Sequence, residues 1–184
     1  MSIEISLRAV KEAYMEENVK VIVVADYDVD SYMGKRIALR KGEEVELPRW
    51  IANALSEKGI VKLKTPYSVS VGDLSRYAFL ESRSSHPSSL QALPKNIYLE
   101  YREYISSLSK QLKENFNPEI FEELRKAENF MNEIVRYRLS KILRVALGRG
   151  TMKEIVEKMT REELILFREI SNIIEKWEKI VLEG

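Results

Sequence analysis

The sequence predicts an α+β protein, mostly α, with a small β-rich domain at the N-terminus and an all-helical domain after it. Three observations lead there. Runs of β-branched residues with period-two alternation are confined to the first 66 residues. From Pro94 onward apolar residues return every three or four positions to the end of the chain. Between these regions lies a stretch rich in Ser, Gly and Pro, the composition of loops. The expected division is 1–66 for the small domain, 67–94 for a linker carrying a short helix, and 95–184 for the helical domain. A domain of about 65 residues buries little surface and is marginal alone, so it is expected to lean on a neighbour.

Residues 6–17 read as a helix, with Leu7, Val10 and Tyr14 on one face and Ser6 as N-cap. Lys20 to Asp26 has strand length and composition, and an aspartate-rich turn follows it. Arg36 to Arg40 alternates charged and apolar residues, Lys41-Gly42 breaks the run, and Val45 to Leu47 reads as a return strand. Pro48 suits the first turn of a helix, where its missing N–H costs nothing. Trp50, Ile51, Ala54 and Leu55 make an apolar stripe, and Gly59 stands where a helix C-cap glycine belongs. Ile60 to Lys64 alternates again as a strand. Asp73 to Arg83 is the short helix of the linker, and Ser84 to Ser89 is a loop by composition.

The helical domain opens with Ile97, Tyr101, Tyr104, Ile105, Leu108 and Leu112 on one face. Asn117-Pro118-Glu119 combines an N-cap, a proline at N1 and an acid in the first turn. The helix it starts runs without a breaker to Gly148. Thr151 opens a short helix, and Thr160-Arg161-Glu162-Glu163 is a capping box before a last helix that carries Leu164, Phe167, Ile170, Ile174, Trp177 and Val181.

Composition narrows the function. Of the 184 residues, 45% are apolar and 32% charged, the latter above the usual ~25%. The net charge of +1 gives no global pull towards nucleic acid or anionic membrane. With no cysteine, disulfides, thiolate metal sites and cysteine nucleophiles are excluded. The longest strongly apolar run, Val21 to Ala25, falls far short of the ~20 residues of a membrane span. Met1 to Ile5 lacks the basic start and apolar core of a signal peptide, so a cytoplasmic location is expected. One histidine and two glutamines among many Lys, Arg and Glu also fit a heat-adapted chain.

Asp26, Asp28 and Asp30 alternate after a strand and suggest a cation site. An EF-hand starting at Asp26 needs glycine and glutamate where Ser31 and Ile37 stand, so that reading fails. The pattern also resembles the first motif of DHH phosphoesterases and RecJ-like nucleases, which need further histidine ligands. Here the one histidine is His86, in a Ser/Pro loop without an acidic neighbour. No phosphate-binding glycine loop and no nucleophile elbow occurs. The expectation is no catalytic residue, no metal, no cofactor and no enzyme, with a metal-dependent phosphoesterase as the remote alternative.

Two other features bear on partners. Residues 125–153 carry eight basic residues against Glu128 and Glu133, and Arg136, Arg138, Lys141 and Arg144 are the candidate nucleic-acid contacts. The competing reading of this stretch is a solvated helix face. A helix-turn-helix over Thr151 to Trp177 is weakened by the acidic start of its would-be recognition helix. Separately, Tyr98, Tyr101, Ile105, Phe167, Ile174 and Trp177 are the candidate subunit interface, against the default that such stripes are core.

Read in order, Glu46-Leu47-Pro48-Arg49-Trp50-Ile51-Ala52, Leu55, Gly59, Val61 and Pro66 resemble a signature of GINS complex subunits. Leu93-Pro94-Lys95-Asn96-Ile97-Tyr98-Leu99-Glu100 is similar to that family's lead-in to its helical domain. Arg136 to Val145 resembles its basic third helix, and Leu164 to Trp177 its last. The small domain comes first, as in the second and third Partner-of-Sld-Five subunits, and the likeness covers nearly the whole chain. It implies a non-enzymatic scaffold without cofactor or membrane anchor. Such subunits form a tetramer, in archaea two copies each of two sister chains, that joins the MCM helicase and a RecJ-like protein at replication forks. Within this reading Leu47, Pro48, Trp50, Ile51 and Leu55 anchor the small domain, and a nucleoid-associated place in the cytoplasm follows. The competing class is a DNA-binding module built on helix 136–149.

Overall fold

The computed structural model describes residues 2–32, 35–64, 69–148 and 153–183, the side chains of 29–32 and 35–37 excepted. The fold is α+β and mostly α: a three-stranded antiparallel sheet near the N-terminus precedes a long helical region. Two compact units divide the chain, residues 11–66 in one and residues 1–10 with 67–184 in the other.

In the small unit, β1 (Asn18–Val23) is the central strand. It pairs antiparallel with β4 (Glu44–Pro48) on one side and with β5 (Val61–Leu63) on the other. Val21 faces Val45 and Leu63 in this register. The period-two pattern sends Val21 and Val23 inward and leaves Lys20 and Ile22 outside. A separate hairpin joins β2 (Tyr27–Tyr32) and β3 (Lys35–Leu39). Asp28 and Asp30 thus belong to a strand, and not to the turn their composition suggests; cross-strand pairing overrides the turn preference of aspartate.

Helix α2 (Arg49–Glu57) covers this core with Ala52 and Leu55, which join Val21, Val23, Leu39, Leu47, Ile60 and Val61. Pro48 ends β4 and holds the N-cap position in an extended conformation, one step earlier than the first-turn place expected for it. Gly59 follows the helix with φ +71°, the left-handed value that a side chain makes costly, and so turns the chain into β5.

The helical unit contains α3 (Val71–Ser82), α4 (Ile97–Glu114), α5 (Pro118–Leu147), α6 (Lys153–Val156) and α7 (Arg161–Glu183). The first residues of α1 (Ile3–Met15) cluster with it. Residues 69–94 do not form the linker expected over 67–94. Ser70 and Asp73 form a reciprocal capping box that starts α3, and Val69, Leu74 and Ala78 are buried with Ile97, Tyr104, Leu108, Ala127, Met131 and Ile134. The serine-rich loop is pinned by its own hydrogen bonds, Ser89 Oγ to the His86 carbonyl at 2.6 Å among them, and ends at fully buried Leu90. Leu90 packs with Ile142, Val145, Ile155 and Met159 in a second cluster. No helix among the described residues is long and apolar enough to cross a membrane.

Candidate functional site

The longest helix carries the first candidate site. Along α5, Ala127, Met131, Ile134, Arg138, Lys141 and Val145 recur at alternating steps of four and three and are all buried. Arg138 and Lys141 therefore occupy the apolar stripe of α5, each 1% exposed, and cannot reach a phosphate. This corrects their assignment as nucleic-acid contacts. Arg136 and Arg144 do lie on the outside, and Arg144 donates to the Ser85 carbonyl at 2.9 Å. The predicted basic face thus loses its two central cations to the interior.

All five N–H groups of Arg138 are used. Nε and one Nη2 hydrogen reach the two carboxylate oxygens of Glu163, each at 2.6 Å. Nη1 donates to Glu81 Oε1 at 2.6 Å and to the Gln91 carbonyl, and Nη2 also donates to the Lys158 carbonyl. Lys141 Nζ bonds Glu81 Oε2 at 2.5 Å and the Glu81 carbonyl at 2.9 Å. Glu163 doubles as the capping-box acid of α7, since its Oε2 accepts from the Thr160 N–H and its own N–H donates to Thr160 Oγ1. Two cations and two carboxylates are thereby balanced inside the helical unit, tying α3, α5 and the start of α7. Full satisfaction of this kind is what makes buried charge tolerable. Burial alone would lower the Arg138 pKa, but the Glu163 carboxylate outweighs it and holds the guanidinium well above its usual range.

Tyr98, expected at a subunit interface, instead points its hydroxyl into the network and donates to Glu163 Oε1 at 2.6 Å. Burial first, and the Glu163 charge second, push its pKa far above the ordinary tyrosine value. Tyr104 is raised as well, by burial first and by its hydrogen bond to Glu123 second. A group whose pKa is raised on folding contributes stability that is complete below its unfolded pKa and is lost as pH climbs towards the folded one. Stability should therefore decline above pH ~10. Tyr98→Phe should flatten that decline in denaturant melts taken from pH 8 to 11; an unchanged alkaline slope would remove Tyr98 from the account.

The remaining interface candidates divide. Tyr101 and Ile105 are half-buried against the first helical core, Phe167 is half-buried against the second, and Ile174 is half-buried. Trp177 is 62% exposed. With it α7 presents Ile173 at 63% and Ile180 at 72%, neither of which was singled out from the sequence. Leu166, Ile170, Ile173, Trp177 and Ile180 follow a four-three-four-three spacing, the seam of a helix that packs lengthwise against another. That spacing was readable, and it is the signal that the core-or-interface reading of α7 passed over. Large apolar side chains exposed together in this way make this face of α7 the candidate interaction surface.

In the small unit, Leu47 and Leu55 are buried and Pro48 and Ile51 are half-buried. Trp50 is 42% exposed and does not anchor the core. Because α2 begins at Arg49, its inward positions are 49, 52 and 55, and residue 50 falls to the side. Arg49 takes the place expected of the tryptophan, with its guanidinium 4.2 Å from the centre of the Tyr14 ring.

The aspartates of the first motif are engaged separately. Asp26 Oδ1 accepts from the Lys41 N–H at 2.7 Å, and Asp28 pairs with Arg40 at 3.1 Å. The Asp30 side chain lies outside the described residues. Among the described residues no group of three or more His, Asp or Glu side chains gathers as a metal would need. His86 Nδ1 is occupied by Ser88 Oγ at 2.7 Å. No protein-family model and no curated protein sequence matches the chain.

Proposed function

We propose that this chain is a non-enzymatic scaffold subunit of a GINS-type replication complex, assembled with a sister chain as a two-plus-two tetramer that joins an MCM helicase and a RecJ-like protein at replication forks. The observation that supports protein binding is the apolar seam left exposed on α7, centred on Ile173, Trp177 and Ile180. The family likeness supports the identity of the partners. The residues that carry the likeness lie on these elements: Glu46 to Pro48 ends β4, Trp50 to Leu55 lies in α2, Gly59 follows that helix, and Asn96 is the N-cap of α4. A nucleoid-associated location belongs to the same proposal.

The test is the solution mass of the purified chain, alone and mixed with the sister chain from the same source. A shift to a two-plus-two tetramer on mixing is expected. Unchanged masses in the mixture would overturn the reading and return attention to DNA, for which Arg136 and Arg144 are the outward-facing candidates. DNA binding through them would weaken steeply with salt, with a logarithmic slope near −0.9 per phosphate contact.

A further inference from the structure

The serine-rich loop before Leu90 carries a hydroxyl that the proposed function leaves unused. Its serines are not equivalent. Ser89 is half-buried, and its Oγ is committed to the Ser84 and His86 carbonyls. Ser84 is half-buried too, and its Oγ accepts from the His86 N–H at 3.1 Å. Ser85 is exposed but has no base beside its hydroxyl among the described residues. Ser88 is exposed, and its Oγ lies 2.7 Å from His86 Nδ1. That nitrogen also accepts from the Ser88 N–H at 3.3 Å, which makes it the lone-pair side of a neutral ring and puts the proton on Nε2. The Ser88 hydroxyl therefore donates to the imidazole, as a nucleophile does to its base.

The charge around this hydroxyl is one-sided. Lys158 Nζ reaches the Ser88 carbonyl at 3.4 Å, and Arg144 holds the Ser85 carbonyl at 2.9 Å. Neither cation, nor Arg83 at the head of the loop, pairs with a carboxylate among the described residues. Residues 83–90 contain no acid. Glu81, the acid nearest in sequence, is buried and matched by Arg138 and Lys141. Cations tied to carbonyls keep donors to spare, since an ammonium has three N–H groups and a guanidinium five. A dianion carried on Ser88 would be met by both.

We propose that Ser88 is a phosphorylation site, with the phosphoryl group supplied by a nucleoside triphosphate through a serine/threonine protein kinase and received by Lys158 and Arg144. In the transfer the bond from Ser88 Oγ to the γ-phosphorus forms. The bond from that phosphorus to its bridging oxygen breaks, the nucleoside diphosphate leaves, and the hydroxyl proton passes to His86 Nδ1. Protonated there, the ring turns from acceptor to donor and faces the new dianion. Lys158 stands between α6 and α7, so its pairing with the phosphoryl group ties the loop to the turn that leads into α7. The inference is independent of what covers α7. Free phosphate carries the same chemistry, so the test separates the two sources.

Two measurements on the full chain test it. Peptide mass spectrometry of the chain isolated from its native source should place a phosphoryl group on Ser88. Phosphorus NMR titration of the chain with genetically encoded phosphoserine at position 88 should then show a second acid constant raised about threefold or more over the same chain unfolded in urea. Lys158→Gln should remove about half of that gain or more, whereas Lys110→Gln, at an exposed position on α4, should leave it unchanged. Parental helical circular dichroism would show that the variants are folded. A native chain that carries no phosphoryl group on Ser88, or carries one only on another serine of the loop, would overturn the inference. So would a titration that is the same folded and unfolded, or one that ignores Lys158→Gln. Inorganic phosphate saturating the unmodified chain below about 1 mM, with Ser88 always bare in the native chain, would make the loop a site for a free anion and overturn it as well.

Discussion

Arg138→Ala is expected to destabilise the helical unit by about 3–5 kcal/mol, read as a lower denaturant midpoint followed by helical circular dichroism. The side chain is 1% exposed and holds Glu81 and Glu163 through five hydrogen bonds. Truncation strips Glu163 of the one cation it pairs with among the described residues, while leaving that carboxylate buried. Glu81 keeps Lys141, so the damage should centre on the start of α7, where Glu163 also caps the helix. Arg138→Lys keeps the charge but has one donor atom where the guanidinium has three, and it cannot span both carboxylates; partial recovery is expected. Arg136→Ala, two residues away and exposed, should shift stability by no more than ~0.5 kcal/mol. Equal effects at 136 and 138 would sink the buried-network account. The cost of breaking the network is not its net worth, because an apolar set of the same volume could serve as well.

Charge type along the sequence and burial in the fold came apart at these residues. The basic stretch of 125–153 reads as a surface because lysine and arginine are rarely buried. Yet the steps 127, 131, 134, 138, 141 and 145 show two cations standing where the stripe wants apolar side chains. That anomaly was legible. The partners were not, since Glu81 and Glu163 lie 57 and 25 positions away and only tertiary packing brings them in. The capping box at Thr160 and Glu163 was legible as a helix start, but its second use as a counter-ion was not. In the small unit the strands announced themselves by alternation. The error at Trp50 came from counting a stripe from the wrong residue: a helix that begins one position later turns its largest side chain outward. In α7 the heptad spacing is plain, but spacing alone is the same for core and interface; exposure shows that Ile173, Trp177 and Ile180 lie outside the core of this chain.

Leu47→Ala is expected to cost about 2–5 kcal/mol in the small unit, whereas Trp50→Ala should cost about 1 kcal/mol or less. Leu47 is 5% exposed and lies in β4 opposite Val19, packed in the core with Val21, Ala52 and Leu55. Trp50 is 42% exposed. The difference matters because a unit of this size has little stability to lose, roughly 3–8 kcal/mol at the usual yield per residue. Among the described residues, the small core shares no member with the two clusters of the helical unit. Removing Leu47 should therefore open the sheet before the helices. Amide hydrogen exchange reads this directly: protection of Val21, Val23 and Leu63 should fall sharply, while that of Ile134 and Ile142 should hold. If Trp50→Ala opened the sheet as far as Leu47→Ala, tryptophan would be the anchor after all. If Leu47→Ala stripped protection from α5 in equal measure, the two cores would fold as one, and the exposed seam of α7 would be tested on a chain whose halves cannot be perturbed separately.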